Sequence, residues 1–479
     1  RLTLNIGLRW DYESPPVERF DRQNRGFGFT AASPYKVAGY DLRGGLLFAG
    51  RDGQPRGAFV PDRNNWQPRF GLAYKVLQSK SLVFRAGVGR YFLPTVEFGG
   101  TTGFSQVTSA VFSTAEYLPY DVLSNPFRNG LTPRPGATNG LGTDVGNSVS
   151  FSDPERAIPN AWQFSAGFQY EMIPGLLLDV SYVGSRTSQL QVSKSLNFLT
   201  KEQLALGQPY LTTTVANPFY GVLPVNTTKG AQATVQRGSL LTQYPQFGSV
   251  TQSNTSLGSS WYNALQLKLE QRFKHGLSLL ASYTNSKTME AAAYLNAQDT
   301  ELARELVTFD TPQRLVVTAV YEFPIGPTKK WAGNGILSHI VGGWEINWSA
   351  VFASGMPMPY PNYLINGNPK LENGQTLDRW FDTSASIWVQ PAAGSLRVTP
   401  LRSPNIRRHN APQIDVGMLR VFRIKEGHKL QFRVSAYNAT NTPIFDFPNT
   451  TPTSALFGVV SKTQLNNPRQ VEFGFRYVF

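Results

Sequence analysis

Pro468-Arg-Gln-Val-Glu-Phe-Gly-Phe-Arg-Tyr-Val-Phe479 closes the chain with Val471, Phe473, Phe475, Tyr477 and Phe479 on one side of a period-two repeat and Gln470, Glu472, Gly474 and Arg476 on the other. Period two is the side-chain spacing of a β-strand. In a soluble sandwich the apolar side would meet a second sheet. Four aromatics and a valine running to the last residue fit a transmembrane barrel strand that faces lipid on that side.

Working back from this strand, the same alternation recurs in about twelve segments. At the other end of the chain Leu2, Leu4, Ile6, Leu8, Trp10 and Tyr12 interleave with Thr3, Asn5, Gly7, Arg9 and Asp11. Between the two lie segments around Phe70–Val76, Leu82–Val88, Trp162–Met172, Leu176–Tyr182, Leu265–Phe273, Leu277–Tyr283, Leu315–Phe323, Trp344–Phe352, Ile414–Ile424 and Leu430–Ala436, of which Ile414–Ile424 is the least regular. Connections after the second, fourth, sixth and tenth segments are only about three to five residues. Those after odd-numbered segments run from roughly 24 to 73 residues, and the one after the eighth is intermediate. Short turns on one rim and long loops on the other is the asymmetry of outer-membrane barrels, with turns periplasmic and loops extracellular. Trp10, Tyr12, Trp162, Trp261, Tyr283 and Trp344 fall near the predicted strand ends, where aromatic girdles belong.

Composition agrees. The 479 residues include 13% aromatics, 43 Gly and 33 Pro with only 16% charged residues, a balance that favours strands and turns over helices. No apolar run is long enough for a helical span. Barrel strands escape a hydropathy window, so the mean hydropathy of −0.26 is no argument against a membrane. The absence of cysteine removes disulfides and thiolate metal sites. The net charge of +14 fits steering of an anionic ligand, contact with anionic headgroups, or basic genomic composition. The Lys and Arg residues are dispersed, which argues against nucleic acid as a partner.

No catalytic, cofactor or metal site is expected. The four histidines, His275, His339, His409 and His428, are scattered over turns and loops and suggest neither a triad nor a metal cluster. Gly87-Val-Gly89 lacks the third glycine of a dinucleotide loop and precedes no helix. Arg85, Glu171, Asp179, Lys268, Glu270 and Arg433 share the polar, lumen-facing side, where they line a hydrated path or brace the wall by cross-strand pairing. Tyr117, Tyr120, Arg128, Arg134, Tyr220, Tyr244, Tyr360, Tyr363, Arg379 and Trp380 sit in the long loops and are the candidates for first contact with a ligand.

Taken in order, these stretches resemble the C-terminal part of a TonB-dependent outer-membrane transporter, closest to the Oar-like branch that carries an N-terminal carboxypeptidase-regulatory-like domain. The resemblance rests on Arg1-Leu-Thr-Leu-Asn-Ile-Gly-Leu-Arg-Trp-Asp-Tyr12, Trp66-Gln-Pro-Arg-Phe-Gly-Leu-Ala-Tyr74, Phe84-Arg-Ala-Gly-Val-Gly-Arg-Tyr-Phe92, Asp310-Thr-Pro-Gln-Arg314, Gly343-Trp-Glu-Ile346 and Gln431-Phe-Arg-Val-Ser-Ala-Tyr-Asn438. It implies that residues 1–479 are part of one barrel domain whose plug and upstream strands precede Arg1, out of a total of about 22 strands. It also implies active uptake of a scarce nutrient, coupled through the absent plug to the TonB complex. Expected partners are outer-membrane lipid and lipopolysaccharide, an extracellular ligand, and the barrel assembly machinery, which would read Val471, Phe473, Phe475, Tyr477 and Phe479. A passive porin-like channel and a surface adhesin or structural barrel are the alternatives. A barrel hydrolase would need a lipid-facing His–Ser pair, which no segment presents. The expected edge of Leu2–Tyr12 is open, because its upstream neighbour is missing.

Overall fold

The computed structural model describes residues 1–77, 81–93, 108, 110, 113–115, 118–133, 135–326, 331 and 342–479. Fourteen strands share one sheet, and twelve of them form an up-and-down meander in chain order. They are β1 (Leu2–Trp10), β2 (Trp66–Leu77), β3 (Leu82–Phe92), β4 (Asn160–Ile173), β5 (Leu176–Ser195), β6 (Val250–Lys274), β7 (Leu277–Ala291), β8 (Gln313–Glu322), β9 (Trp344–Ala353), β10 (Gln413–Lys425), β11 (His428–Tyr437) and β12 (Gln470–Val478). Every neighbour in the meander is antiparallel. β1 and β12 lie at the two ends of the sheet and do not pair with each other, so both edges stay open as expected for β1.

The register turns the sequence alternation into a surface. Leu2, Tyr74, Phe84, Phe168, Val180, Leu267, Tyr283, Leu315 and Phe352 are successive partners across β1 to β9, one unbroken apolar row on one face. One residue along, Arg85, Gly167, Ser181, Gln266, Thr284 and Arg314 form a row of polar and small residues on the opposite face. The apolar face is bare: Ile6 is 80% exposed, Phe168 50% and Phe475 71%. A sheet that leaves such a face uncovered needs hydrocarbon against it.

Among the described residues three hairpins close in two residues, at 174–175, 275–276 and 426–427. At His275-Gly276 both residues have positive φ, 51° and 83°. That is the primed turn whose twist matches paired strands, and a Cβ on Gly276 would stand 2.7 Å from the Glu322 carbonyl oxygen.

The structure also differs from the sequence reading. β5, β6 and β7 run well past Tyr182, Leu265 and Tyr283, with β6 reaching 25 residues, about 80 Å at strand rise. These extensions are rich in Ser, Thr and Asn on both faces, so no apolar alternation announced them. Trp261 and Tyr283 consequently lie inside strands instead of near their ends. Short strands cap the extension: Val149–Ser152 pairs parallel with the top of β6, and Arg304–Leu306 antiparallel with the top of β7. Each covers an edge that would otherwise expose unpaired backbone.

The tenth segment is irregular on both faces: Leu419 and Val421 stand among the polar partners Glu345, Arg433 and Gln431, and a charge stands on the apolar face. Arg420 stands in the row between Trp344 and Phe432, with its guanidinium 4.2 Å from the Phe422 ring centroid and 5.7 Å from that of Trp344. Aromatic faces screen the charge from lipid.

Candidate functional site

Loops on the rim opposite the tight turns fold into two lobes, and these contain the buried apolar clusters. The first lobe draws on residues 11–65, 135–159 and 196–249. Phe27 is its centre, stacked on Phe151 at 5.4 Å and edge-on to Tyr244 at 5.2 Å and Phe247 at 5.9 Å, with Leu46, Phe48, Phe219 and Leu223 around it. Loop backbone buried this way must find partners. Asn197 supplies several, donating to the Tyr244 and Gly248 carbonyls at 3.0 and 2.6 Å and accepting from the Tyr244 N–H at 2.9 Å. Gln246, fully buried, donates to the Arg43 carbonyl at 2.7 Å. Lys229 is buried in the same lobe. Its Nζ donates to the Pro245 carbonyl at 2.5 Å and the Ser239 carbonyl at 3.3 Å, and burial pushes its pKa down to about 8.

The second lobe joins loops 354–412 and 438–469. Phe381, Trp388 and Phe457 pack mutually at 5.1 to 5.3 Å, with Met358, Ile406 and Val460 fully buried beside them. Trp380 donates from its indole to the Arg407 carbonyl at 2.7 Å. His409 lies between the Trp380 and Phe445 rings at 5.7 and 5.3 Å, and burial lowers its pKa.

Loop 292–312 bridges the lobes. Asn296 and Arg397 exchange a reciprocal pair of hydrogen bonds at 2.7 and 2.9 Å, and Gln298 donates to the Leu199 carbonyl at 2.8 Å. Arg402 pairs with Glu290 at 2.8 Å, and Arg407 with buried Asp310 at 2.8 Å. Glu305 accepts from the Leu401 N–H at 2.9 Å, and its burial raises its pKa.

The loop candidates separate by position. Tyr244 and Trp380 are packed inside the lobe cores. Tyr360 and Tyr363 are half-buried against the second core, where burial raises the Tyr360 pKa. Tyr220 is exposed, Arg379 is exposed beside Asp382 at 3.3 Å, and Arg128 lies 4.4 Å from the Tyr120 ring centroid. Tyr117 and Arg134 lie outside the described residues, as does His339. His275 and His428 sit at separate hairpins, with His428 Nδ1 2.5 Å from the Tyr477 hydroxyl. Among the described residues no three His, Asp or Glu side chains converge.

Among the described residues, the lumen-face ion pairs Arg9–Asp11 and Lys268–Glu270 each run along one strand. Lys268 reaches Glu270 at 3.0 Å on its own strand, although its register partner is Asp179. Glu171 accepts from the Gly175 N–H at 3.0 Å and so braces its own hairpin. Sequence reasoning did not single out Lys229, the Asp310–Arg407 pair or the bridging loop. Each acts through contacts that no local pattern signals.

The chain is similar to the outer-membrane transporter YddB from Escherichia coli at 11% identity and a TM-score of 0.42, over 87% of this chain and 40% of that one. It is similar to the pyoverdine receptor FpvA from Pseudomonas aeruginosa at 10% identity and a TM-score of 0.40, over 91% and 39%. For the siderophore receptor PiuA from Acinetobacter baumannii the values are 8% and 0.40, over 100% and 41%. The chain therefore spans about two fifths of the length of these structures. No curated protein matches it. The outer membrane beta barrel domain family matches residues 1–472, which puts the bare apolar face in the lipid of a Gram-negative outer membrane. With nearly the whole length matched, the chain belongs to the outer membrane β-barrel family.

Proposed function

We propose that the chain is the barrel portion of an active transporter that takes up a scarce nutrient, working with TonB through a plug that lies outside residues 1–479. The supporting observation is the extracellular rim, where loops far longer than strand connection requires fold into two lobes with their own cores and a polar bridge. Such investment in ordered loops belongs with ligand capture. On this reading a ligand first meets Tyr120, Arg128, Tyr220 and Arg379, while Tyr244, Tyr360, Tyr363 and Trp380 hold the surface that presents them. Residues 1–479 are then one part of a larger barrel, consistent with the two open sheet edges. β12 offers the assembly machinery a free edge with Val471, Phe473, Phe475, Tyr477 and Phe479 on one face.

The test is deletion of the full gene in a TonB-intact strain, followed by growth and uptake on limiting nutrients with and without a protonophore. Loss of an energy-dependent uptake, restored by the gene, supports the proposal. Uptake that persists when the membrane is de-energised points to a passive channel. An unchanged growth profile on every nutrient points to an adhesin or structural barrel.

A further inference from the structure

Two adjacent rows on the lumen face of β1 to β4 enclose a trough. Asn5, Gly71, Gly87 and Ser165 are register partners in one row, and Gly7, Arg69, Gly89 and Gln163 in the next. The trough has a volume of about 520 Å³, within the range of roughly 300–1,000 Å³ typical of small-ligand sites.

The backbone does not demand glycine at three of these positions. Gly7, Gly71 and Gly87 have no positive φ, and a Cβ there would meet nothing nearer than 4.0, 3.8 and 3.6 Å. Glycine inside a strand weakens it, and it is found where something else approaches the sheet closely. Beside this floor the Arg69 guanidinium lies 4.7 Å from the Tyr91 ring centroid. Tyr91 itself covers Gly89, whose Cβ position is 3.0 Å from the phenol oxygen. The stack holds Arg69 in place without using its N–H donors. Among the described residues no carboxylate forms an ion pair with it.

Cations outnumber carboxylates on this wall. β1 to β4 carry Arg9, Arg69, Lys75 and Arg85 on the lumen face against Glu171, which accepts from the Gly175 N–H at its own hairpin, and Asp11, just past β1, which Arg9 holds at 2.8 Å and whose charge also reaches Arg69. A fixed guanidinium fork matches a carboxylate. The remaining polar groups, Asn5, Gln163 and Ser165, are neutral, which suits a singly charged group on an otherwise polar molecule and not a polyphosphate. We propose that the trough is a carboxylate subsite, with the acid group of a carboxylate-bearing solute on Arg69 and the body of the solute over the glycine floor. The proposal deepens the transport reading and rests on it for the solute's access to the lumen.

The experiment uses the full-length protein in detergent micelles, with benzoate as probe and benzamide as its neutral counterpart, followed by saturation-transfer NMR. Benzoate is expected to bind saturably, and benzamide more weakly by roughly tenfold, the loss expected when a charge-assisted pair is missing. Arg69→Gln should lose the preference for benzoate and Arg69→Lys should retain part of it. Gly87→Leu, for which the open space leaves room, should remove binding while keeping the heat-modifiable migration of a folded barrel. Equal binding of the two probes, or benzoate binding unchanged in both Arg69→Gln and Gly87→Leu, overturns the proposal. A Gly87→Leu protein that fails to reach the heat-modifiable form also overturns it, because the trough is then filled by another part of the protein. Energy-dependent uptake that persists when benzoate preference is absent removes the subsite and leaves the transport reading standing.

Discussion

Asp310 and Arg407, 97 residues apart, form an ion pair at 2.8 Å in which the carboxylate is almost wholly buried. The other Asp310 oxygen accepts from the Thr288 N–H at 2.9 Å, and Arg407 also donates to the Gly355 carbonyl at 3.0 Å. One contact thus fastens the top of β7 and its loop to the second lobe. Removing the cation alone strands a buried carboxylate, a change that costs about 3–5 kcal/mol. Arg407→Ala should therefore release loop 354–412 to protease at far lower enzyme concentration than wild type, whereas Arg407→Ala combined with Asp310→Ala should recover part of the resistance. Equal cleavage of all three proteins would show that the pair does not hold the lobe.

Lys229 gives the first lobe a pH dependence of definite sign. Its pKa is about 8 in the folded lobe and 10.5 in an open chain. Between these values the open loop binds a proton that the folded loop does not, so stability rises with pH across that window and falls as pH drops toward 8. The full effect is on the order of 3 kcal/mol. Chymotrypsin cleavage in loop 196–249, corrected for enzyme activity, should slow from pH 7.5 to pH 9.5. Lys229→Met should flatten that profile; an equally steep profile in the variant would assign it to another group.

Hairpins 275–276 and 426–427 separate two roles of turn glycine. Gly276 and Gly427 both have positive φ, 83° and 78°, but a Cβ on Gly427 would meet nothing within 4 Å while one on Gly276 crowds the Glu322 oxygen at 2.7 Å. Gly427→Ala should cost only the left-handed penalty of about 1–2 kcal/mol. Gly276→Ala should cost more, because β8 must shift as well. Urea unfolding of the full-length protein in lipid vesicles measures both, and equal costs would remove the steric part of the explanation.

The wall was legible in the sequence because lipid on one side and water on the other impose a strict period of two. The alternation named all twelve strands of the meander, and the register confirmed it residue by residue, as in the row from Leu2 to Phe352. The signal ended where the lipid did. Beyond Tyr182 and Leu265 both faces of β5 and β6 meet polar surroundings, so Ser and Thr serve equally on either side and no periodicity survives. Arg420 blurred the alternation of β10 without hiding the strand, through a charge on the apolar face beside the rings of Phe422 and Trp344. The lobes were illegible for a third reason. Their cores join residues such as Arg43 and Gln246, 203 positions apart, and aromatics in a loop look alike whether they pack together or wait for a ligand.

The two faces of β6 differ most sharply at neighbouring residues. Leu267 lies in the apolar row between Val180 and Tyr283, and Gln266 in the polar row between Ser181 and Thr284. An arginine on the lipid face of a barrel costs about 2–4 kcal/mol near the bilayer midplane, whereas an arginine on the water-facing side keeps its hydration. Leu267→Arg should therefore destabilise the full-length protein in vesicles by that amount, while Gln266→Arg, one residue away, should change stability by less than about 1 kcal/mol. Tryptophan fluorescence during urea unfolding reports both, with Leu267→Ala as the control for lost side-chain volume. Equal costs for the two arginines would mean that the apolar row is not in lipid, and the assignment of inner and outer faces would have to be reversed or abandoned.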